Sequence, residues 1–121
     1  MRKFLAVAAV LIQCAAAQAQ FFGCSEWEKL RPTMRAVYMA GAFDSLTGFA
    51  ADEIGRRVSE HYTVCVGRSR LDNSRLAENV RRFLNKHHES HESSVQAALV
   101  NYLISLCGVP PHSDARTTAL R

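Results

Sequence analysis

The stretch Ser74-Arg75-Leu76-Ala77-Glu78-Asn79-Val80-Arg81-Arg82-Phe83-Leu84-Asn85-Lys86-His87 decides the fold class. Leu76, Val80, Phe83, Leu84 and His87 recur at three- and four-residue intervals, which places them on one side of a helix. Arg75, Glu78, Arg81, Arg82 and Lys86 fall largely on the opposite, wet side. The rest of the chain carries the same period. No sustained apolar–polar alternation and no Asn-Gly or Asp-Gly hairpin signal interrupts it. The spacing predicts a single all-α domain of about five helices.

Toward the C-terminus, the histidines and serines from His87 to Ser94 read as a hinge. Val95, Leu99, Tyr102, Leu103 and Leu106 then form a last apolar face, which Cys107-Gly108-Val109-Pro110-Pro111 ends as a glycine cap followed by prolines. The domain is expected over residues 20–108, with 109–121 a flexible tail. Toward the N-terminus, Asp52 is placed to cap a helix on which Ile54, Val58, His61 and Cys65 form the buried stripe. Gly67 is expected to stop that helix, and Asp72-Asn73-Ser74 offers caps for the next. Met34, Val37, Tyr38 and Gly41 share a face of the preceding helix. Gly41 there points to close approach of a neighbour, and Gly48 marks an end. Ser25-Glu26-Trp27-Glu28 has capping-box spacing, and Pro32 suits a first helical turn. Trp27, Tyr38, Phe83, Leu84, Leu99 and Leu103 are the expected core.

The first residues set the compartment. Met1-Arg2-Lys3, the uncharged run from Phe4 to Leu11-Ile12 and the small residues of Ala17-Gln18-Ala19 read as a signal peptide over residues 1–19, cleaved after Ala19. A spanning anchor needs roughly 20 apolar residues, and Gln13 and the alanines from Ala15 onward interrupt this run. Gln13 is too large to precede a lipoprotein cysteine, so Cys14 is expected to leave with the leader. The exported chain is therefore expected in the periplasm or secreted, with no membrane anchor after cleavage.

Loss of Arg2 and Lys3 takes the 15 basic residues to 13 against 11 acids, a net charge of about +2. A nucleic-acid binder would be expected to carry a stronger basic patch. Arg68, Arg70, Arg75, Arg81 and Arg82 cluster in sequence and would suit an acidic protein surface or a polyanionic wall, although a solvated helix face is the simpler explanation.

Cys24, Cys65 and Cys107 remain after the leader, spaced by about forty residues each, and an oxidising compartment favours at least one disulfide. Three single bridges are open to them. Closing such a loop stabilises a fold by about 4 kcal/mol on chain-entropy grounds. No Cys-x-x-Cys pair exists to build a tetrahedral metal site.

Other chemistry is sparse. His87 and His91, at i and i+4 beside His88, Glu89 and Glu92, form the one cluster with a ligand look. His88-Glu89-Ser90-His91 is one residue short of the His-Glu-x-x-His pattern and turns its second histidine off the face. His61 is a candidate pH sensor. No Gly-x-Ser-x-Gly elbow, thiol-protease signature or phosphate-binding glycine loop occurs. Asp52 and Glu53, adjacent on a helix, diverge by about 100° and cannot flank one bond. A binder without cofactor or metal, rather than an enzyme, is expected.

Four segments then carry a resemblance: Tyr38-Met39-Ala40-Gly41 with Asp44, Cys65-Val66-Gly67, Leu76 to Leu84 followed by Asn85-Lys86-His87-His88, and Ala97-Ala98-Leu99-Val100 through Leu106-Cys107. Together they resemble the Rap/Tai immunity proteins of type VI secretion, small exported helical proteins that neutralise peptidoglycan amidase toxins in the periplasm. The family shows Tyr-x-x-Gly, Cys-Ile-Pro, Tyr-Leu-x-x-His-Pro and a closing Ala-x-Leu helix with a terminal cysteine. Gly67 and His88 replace its two prolines, and Arg35 stands near the place of a missing cysteine. The resemblance thus implies one bridge, Cys24–Cys65, with Cys107 left without its usual partner. It also implies an inhibitor, often dimeric, that blocks the amidase groove with a loop between helices. The candidate loops are Gly67 to Ser74, carrying Arg68 and Arg70, and His87 to Ser94, carrying His87, His88 and His91.

A second layout of this size is that of an HdeA-like acid-stress chaperone, also small, helical and stapled by one disulfide. In such a protein low pH loosens helix packing and exposes apolar faces to clients. The long second half, Leu76 to Cys107, resembles the immunity proteins more. An envelope protein with another partner is the third alternative.

Overall fold

The computed structural model describes residues 22–48, 50–87 and 94–111. The expected leader at 1–19 with Cys14, the hinge residues His88 and His91, and the tail beyond Pro111 lie outside the described residues. Five helices follow one another: α1 Cys24–Glu28, α2 Pro32–Gly48, α3 Glu53–Arg68, α4 Asn73–Lys86 and α5 Val95–Cys107. Among the described residues the only β-type pairing is an isolated antiparallel bridge between Gly23 and Ser94, so the fold is all-α.

Local chemistry sets most helix ends. Pro32 opens α2, where its missing N–H costs nothing. Asp52 Oδ1 accepts from the Gly55 amide at 2.7 Å and Asp72 Oδ1 from the Arg75 amide at 2.8 Å, capping α3 and α4. Ser94 caps α5 in the same way through the Ala97 amide, at 3.1 Å. Gly108 follows α5 with φ of 76°, a conformation that only glycine adopts without strain.

Three local expectations are corrected. The capping box does not form: Ser25 lies inside α1, whose N-cap is Gly23, held by its bridge to Ser94. Gly67 does not stop α3, which runs to Arg68, and the left-handed residue of the following turn is Arg70, with φ of 54°. Gly41 makes no close approach, since a Cβ built there meets nothing within 4 Å.

α2 packs most extensively on α4 and also meets α3 and α5, while α5 in turn contacts α1, α3 and α4. Trp27, Met39, Leu76, Val80, Leu84, Val95, Leu99 and Leu103 are sealed in the shared core. Tyr38 and Phe83 pack on its edge rather than within it. Trp27 carries α1 into this core, and its indole N–H donates to the Arg35 carbonyl at 3.3 Å. Truncating a buried residue of this size costs roughly 3–5 kcal/mol. Arg35, near the place of the missing cysteine, donates through Nη1 to the Leu30 carbonyl at 2.6 Å and so ties down the α1–α2 turn.

Two helices are rotated from the expected registers. On α2 the buried face is Ala36, Met39 and Ala42, whereas Met34 and Val37 are exposed. Apolar residues nearly encircle this helix, so its period does not single out one face. On α3 Tyr62 and Val66 are buried and Ile54 is exposed, with Val58, His61 and Cys65 at the margin.

The disulfide joins Cys65 to Cys107, with Cα atoms 5.8 Å apart. The Cys24–Cys65 bridge implied by the resemblance is therefore corrected, for a geometric reason. Cys24 follows Gly23, which pairs with Ser94 at the start of α5. Cys107 closes the far end of that helix, about 18 Å away at 1.5 Å per residue. Cys65, in the last turn of α3, lies beside that far end. Cys24 is fully buried among apolar side chains and takes no part in the bridge.

Candidate functional site

A concavity lies where the C-terminal ends of α3 and α5 are cross-linked. It is an open groove of about 520 Å³ whose lining includes Arg57, His61, Val64, Arg68, Leu106 and the Cys65–Cys107 bridge. That volume is in the range of binding clefts.

α3 supplies one wall by simple periodicity. Arg57, His61, Val64 and Arg68 stand at i, i+4, i+7 and i+11, one stripe of a helix. α5 supplies Leu106 opposite. Val64 and Leu106 remain 42% and 41% exposed, so apolar surface is available between the charged ends. The bridge fixes the two walls covalently, and His61 adds a second tie, its Nε2 lying 3.0 Å from the Gly108 carbonyl oxygen. As the carbonyl can only accept, His61 is the donor there.

Charge along the stripe is uneven. Arg57 donates to Glu53 at 3.1 Å, and Glu53 also pairs with Arg56, so the N-terminal end of the groove is partly neutralised. Arg68, at the other end, makes no ion pair among the described residues. The α3 carbonyls beneath it are occupied: Ser69, Arg70 and Leu71 amides donate to Cys65, Gly67 and Val66. Arg68 is itself an exposed residue. Among the described residues Glu60 is the one acid on the lining.

A second, smaller concavity of about 360 Å³ lies on the α4 side of α5, with Phe83, Lys86, His87 and Tyr102 among its lining residues. The His87 ring tilts against Phe83 at a centroid distance of 4.3 Å, and Phe83 meets Tyr102 edge-on. Asn79 Nδ2 donates to the Tyr102 hydroxyl at 3.1 Å, fixing this aromatic floor.

The sequence-derived candidates are thus divided. Arg68 joins the cross-linked groove, Arg70 projects from the turn just beyond it, and His87 belongs to the second concavity. His88 and His91 lie outside the described residues. The described residues bring together no group of three His, Cys, Asp or Glu that could hold a metal ion. No described helix is long and apolar enough to cross a membrane.

The sequence reading does not single out Arg57 or Val64 as groove residues, and it places Leu106 only on the apolar face of the last helix. The signal was present in the spacing 57, 61, 64 and 68. It was masked because His61 and Cys65 were placed together on a buried stripe. No family model matches the chain, and no curated protein or solved structure matches it either.

Proposed function

We propose that this chain is an exported, non-enzymatic protein-binding protein that inhibits a peptidoglycan amidase in the manner of the Rap/Tai immunity proteins, covering the hydrolase's active-site groove. The observation that carries the reading is the cross-linked groove. It offers exposed apolar side chains, Val64 and Leu106, beside an arginine with no ion-pair partner among the described residues, on walls fixed by a disulfide. Arginine is over-represented at protein interfaces, and the two half-exposed apolar side chains beside Arg68 offer a small apolar contact. The adjoining α3–α4 turn with Arg70 extends that surface. The disulfide supports an oxidising compartment such as the periplasm.

The test is capture from envelope extract with the oxidised protein as bait, at neutral and acidic pH, read by mass spectrometry. One stoichiometric cell-wall hydrolase at neutral pH, with its activity lost in the complex, is the expected result. A broad set of clients held only in acid would overturn the inhibitor in favour of a chaperone. Empty bait at both pH values would also overturn it.

A further inference from the structure

We infer that the α3–α5 groove receives an extended, acidic segment of a partner protein, with an apolar side chain seated between Val64 and Leu106 and a carboxylate on Arg68. This rests on the protein-binding reading above and names the chemistry of what is bound.

Charge complementarity selects the occupant. Among the described residues the lining presents Arg57, His61 and Arg68 against a single acid, Glu60. Arg57 already shares Glu53, whereas Arg68 has no carboxylate partner among the described residues. Arg68 is therefore the stronger anchor, because a planar guanidinium with its donors available binds a carboxylate through two parallel hydrogen bonds. A basic occupant would meet like charge at both ends. A wholly apolar one would leave the arginines to be desolvated without compensation.

Geometry selects the shape. Arg57 and Arg68 are eleven residues apart on α3, about 16 Å along its axis. About five residues of extended chain span that distance at about 3.3 Å each. In such a segment alternate side chains face the same way, so two acids flanking a central apolar residue fit the sequence of arginine, Val64 and arginine along the wall. The Cys65–Cys107 bridge and the His61–Gly108 hydrogen bond hold the walls before binding, which lowers the ordering cost of association.

The probe is the peptide Ac-Glu-Thr-Leu-Thr-Glu-NH2, titrated into the oxidised protein at low salt and followed by isothermal titration calorimetry and methyl NMR. The expected result is saturable binding that moves the Val64 and Leu106 methyl signals. Affinity should fall at least tenfold for the glutamine analogue of the peptide, for the analogue with serine in place of leucine, and for Arg68→Glu. Binding should weaken steadily with added salt. Equal affinity for the glutamine analogue, methyl shifts confined to other parts of the molecule, or no binding at millimolar peptide would overturn the inference. Arg68→Glu and Leu106→Glu are also run as baits in the envelope capture. Undiminished capture of a hydrolase by both would overturn the groove and keep the inhibitor. Peptide binding as expected with no captured partner would do the reverse.

Discussion

His61 on α3 and Gly108 just past α5, 47 residues apart in the chain, meet at 3.0 Å between the imidazole Nε2 and the glycine carbonyl. This contact lies beside the Cys65–Cys107 bridge and fixes the chain where it leaves α5. Gly108 combines φ of 76° with ψ of 174°, a region that is essentially glycine-only. A Cβ added there would meet no atom within 4 Å, so the penalty for alanine is purely conformational. Gly108→Ala is expected to destabilise the fold by about 1–3 kcal/mol. His61→Ala is expected to cost about 1 kcal/mol, the net worth of one hydrogen bond. Urea denaturation of the two variants and the double variant checks both values, and a non-additive double variant would show that glycine geometry and histidine contact act as a unit.

Removing the bridge acts mainly on the unfolded chain. A loop of sequence separation 42 corresponds to about 4 kcal/mol on chain-entropy grounds. Replacing Cys65 and Cys107 together with serine is expected to lower stability by about that amount and to abolish the effect of reductant on the melt. Cys24→Ala is expected to leave reductant sensitivity unchanged, because Cys24 lies at the opposite end of α5. Peptide mapping under non-reducing conditions should recover Cys65 and Cys107 linked. Recovery of Cys24 linked to Cys65 would refute the arrangement.

The fold class was legible because α4 is strongly amphipathic, with Leu76, Val80 and Leu84 buried and Arg75 and Arg82 exposed. The caps at Asp52, Asp72 and Gly108 were equally legible, since each relies on a side chain or backbone freedom that acts locally. The register of α2 was not legible. Its apolar residues surround the helix, and only packing on α4 selects Ala36, Met39 and Ala42 over Met34 and Val37. The cysteine pairing failed for a similar reason. Equal spacing along the chain carries no information about which helix ends meet, and that depends on α5 running from Ser94 beside Gly23 to Cys107 beside Cys65. The groove was half legible: Arg68 was singled out, but Val64 and Leu106 emerge only once the helix ends are joined.

The rotation of α2 gives a prediction of opposite sign to Gly108. Gly41 is exposed, lies within α2 and has open space where a Cβ would stand. Alanine removes backbone freedom from the unfolded chain without a clash, so Gly41→Ala is expected to stabilise the fold by about 0.5–1 kcal/mol. Destabilisation in a denaturant melt would instead place Gly41 at a close contact, as its position beside Val37 and Tyr38 first suggests.

Capping supplies a fourth set of expected effects. Asp72 Oδ1 holds the Arg75 amide at 2.8 Å, at the entry to the most strongly amphipathic helix. Asp72→Ala is expected to cost about 1 kcal/mol and Asp72→Asn or Asp72→Ser much less, because the acceptor is retained. The comparison by thermal melt separates capping from a general effect of lost negative charge.

Acid sensitivity should trace in part to Glu78. Arg81 donates to its carboxylate through Nε at 3.1 Å and Nη2 at 2.8 Å, and Arg82 Nε lies 3.4 Å away. The hydrogen bonds from Arg81 hold the Glu78 carboxyl below its ordinary range; burial opposes this, and the charges of Arg81 and Arg82 add to it. A carboxylate whose native pKa is depressed binds its proton more readily when unfolded. Its contribution is therefore complete above the ordinary carboxylate range and is lost as pH falls through the depressed native value. Both partners are more than a third exposed or close to it, so solvent screening limits the effect to no more than about 1 kcal/mol. Glu78→Gln is expected to be slightly less stable than the parent at pH 7 and to match it in strong acid, with the gap at pH 7 also narrowing in high salt. Urea denaturation across that pH range, at low and high salt, is the measurement, and a gap that persists in acid would mean that Glu78 acts through packing of its stem rather than through its charge.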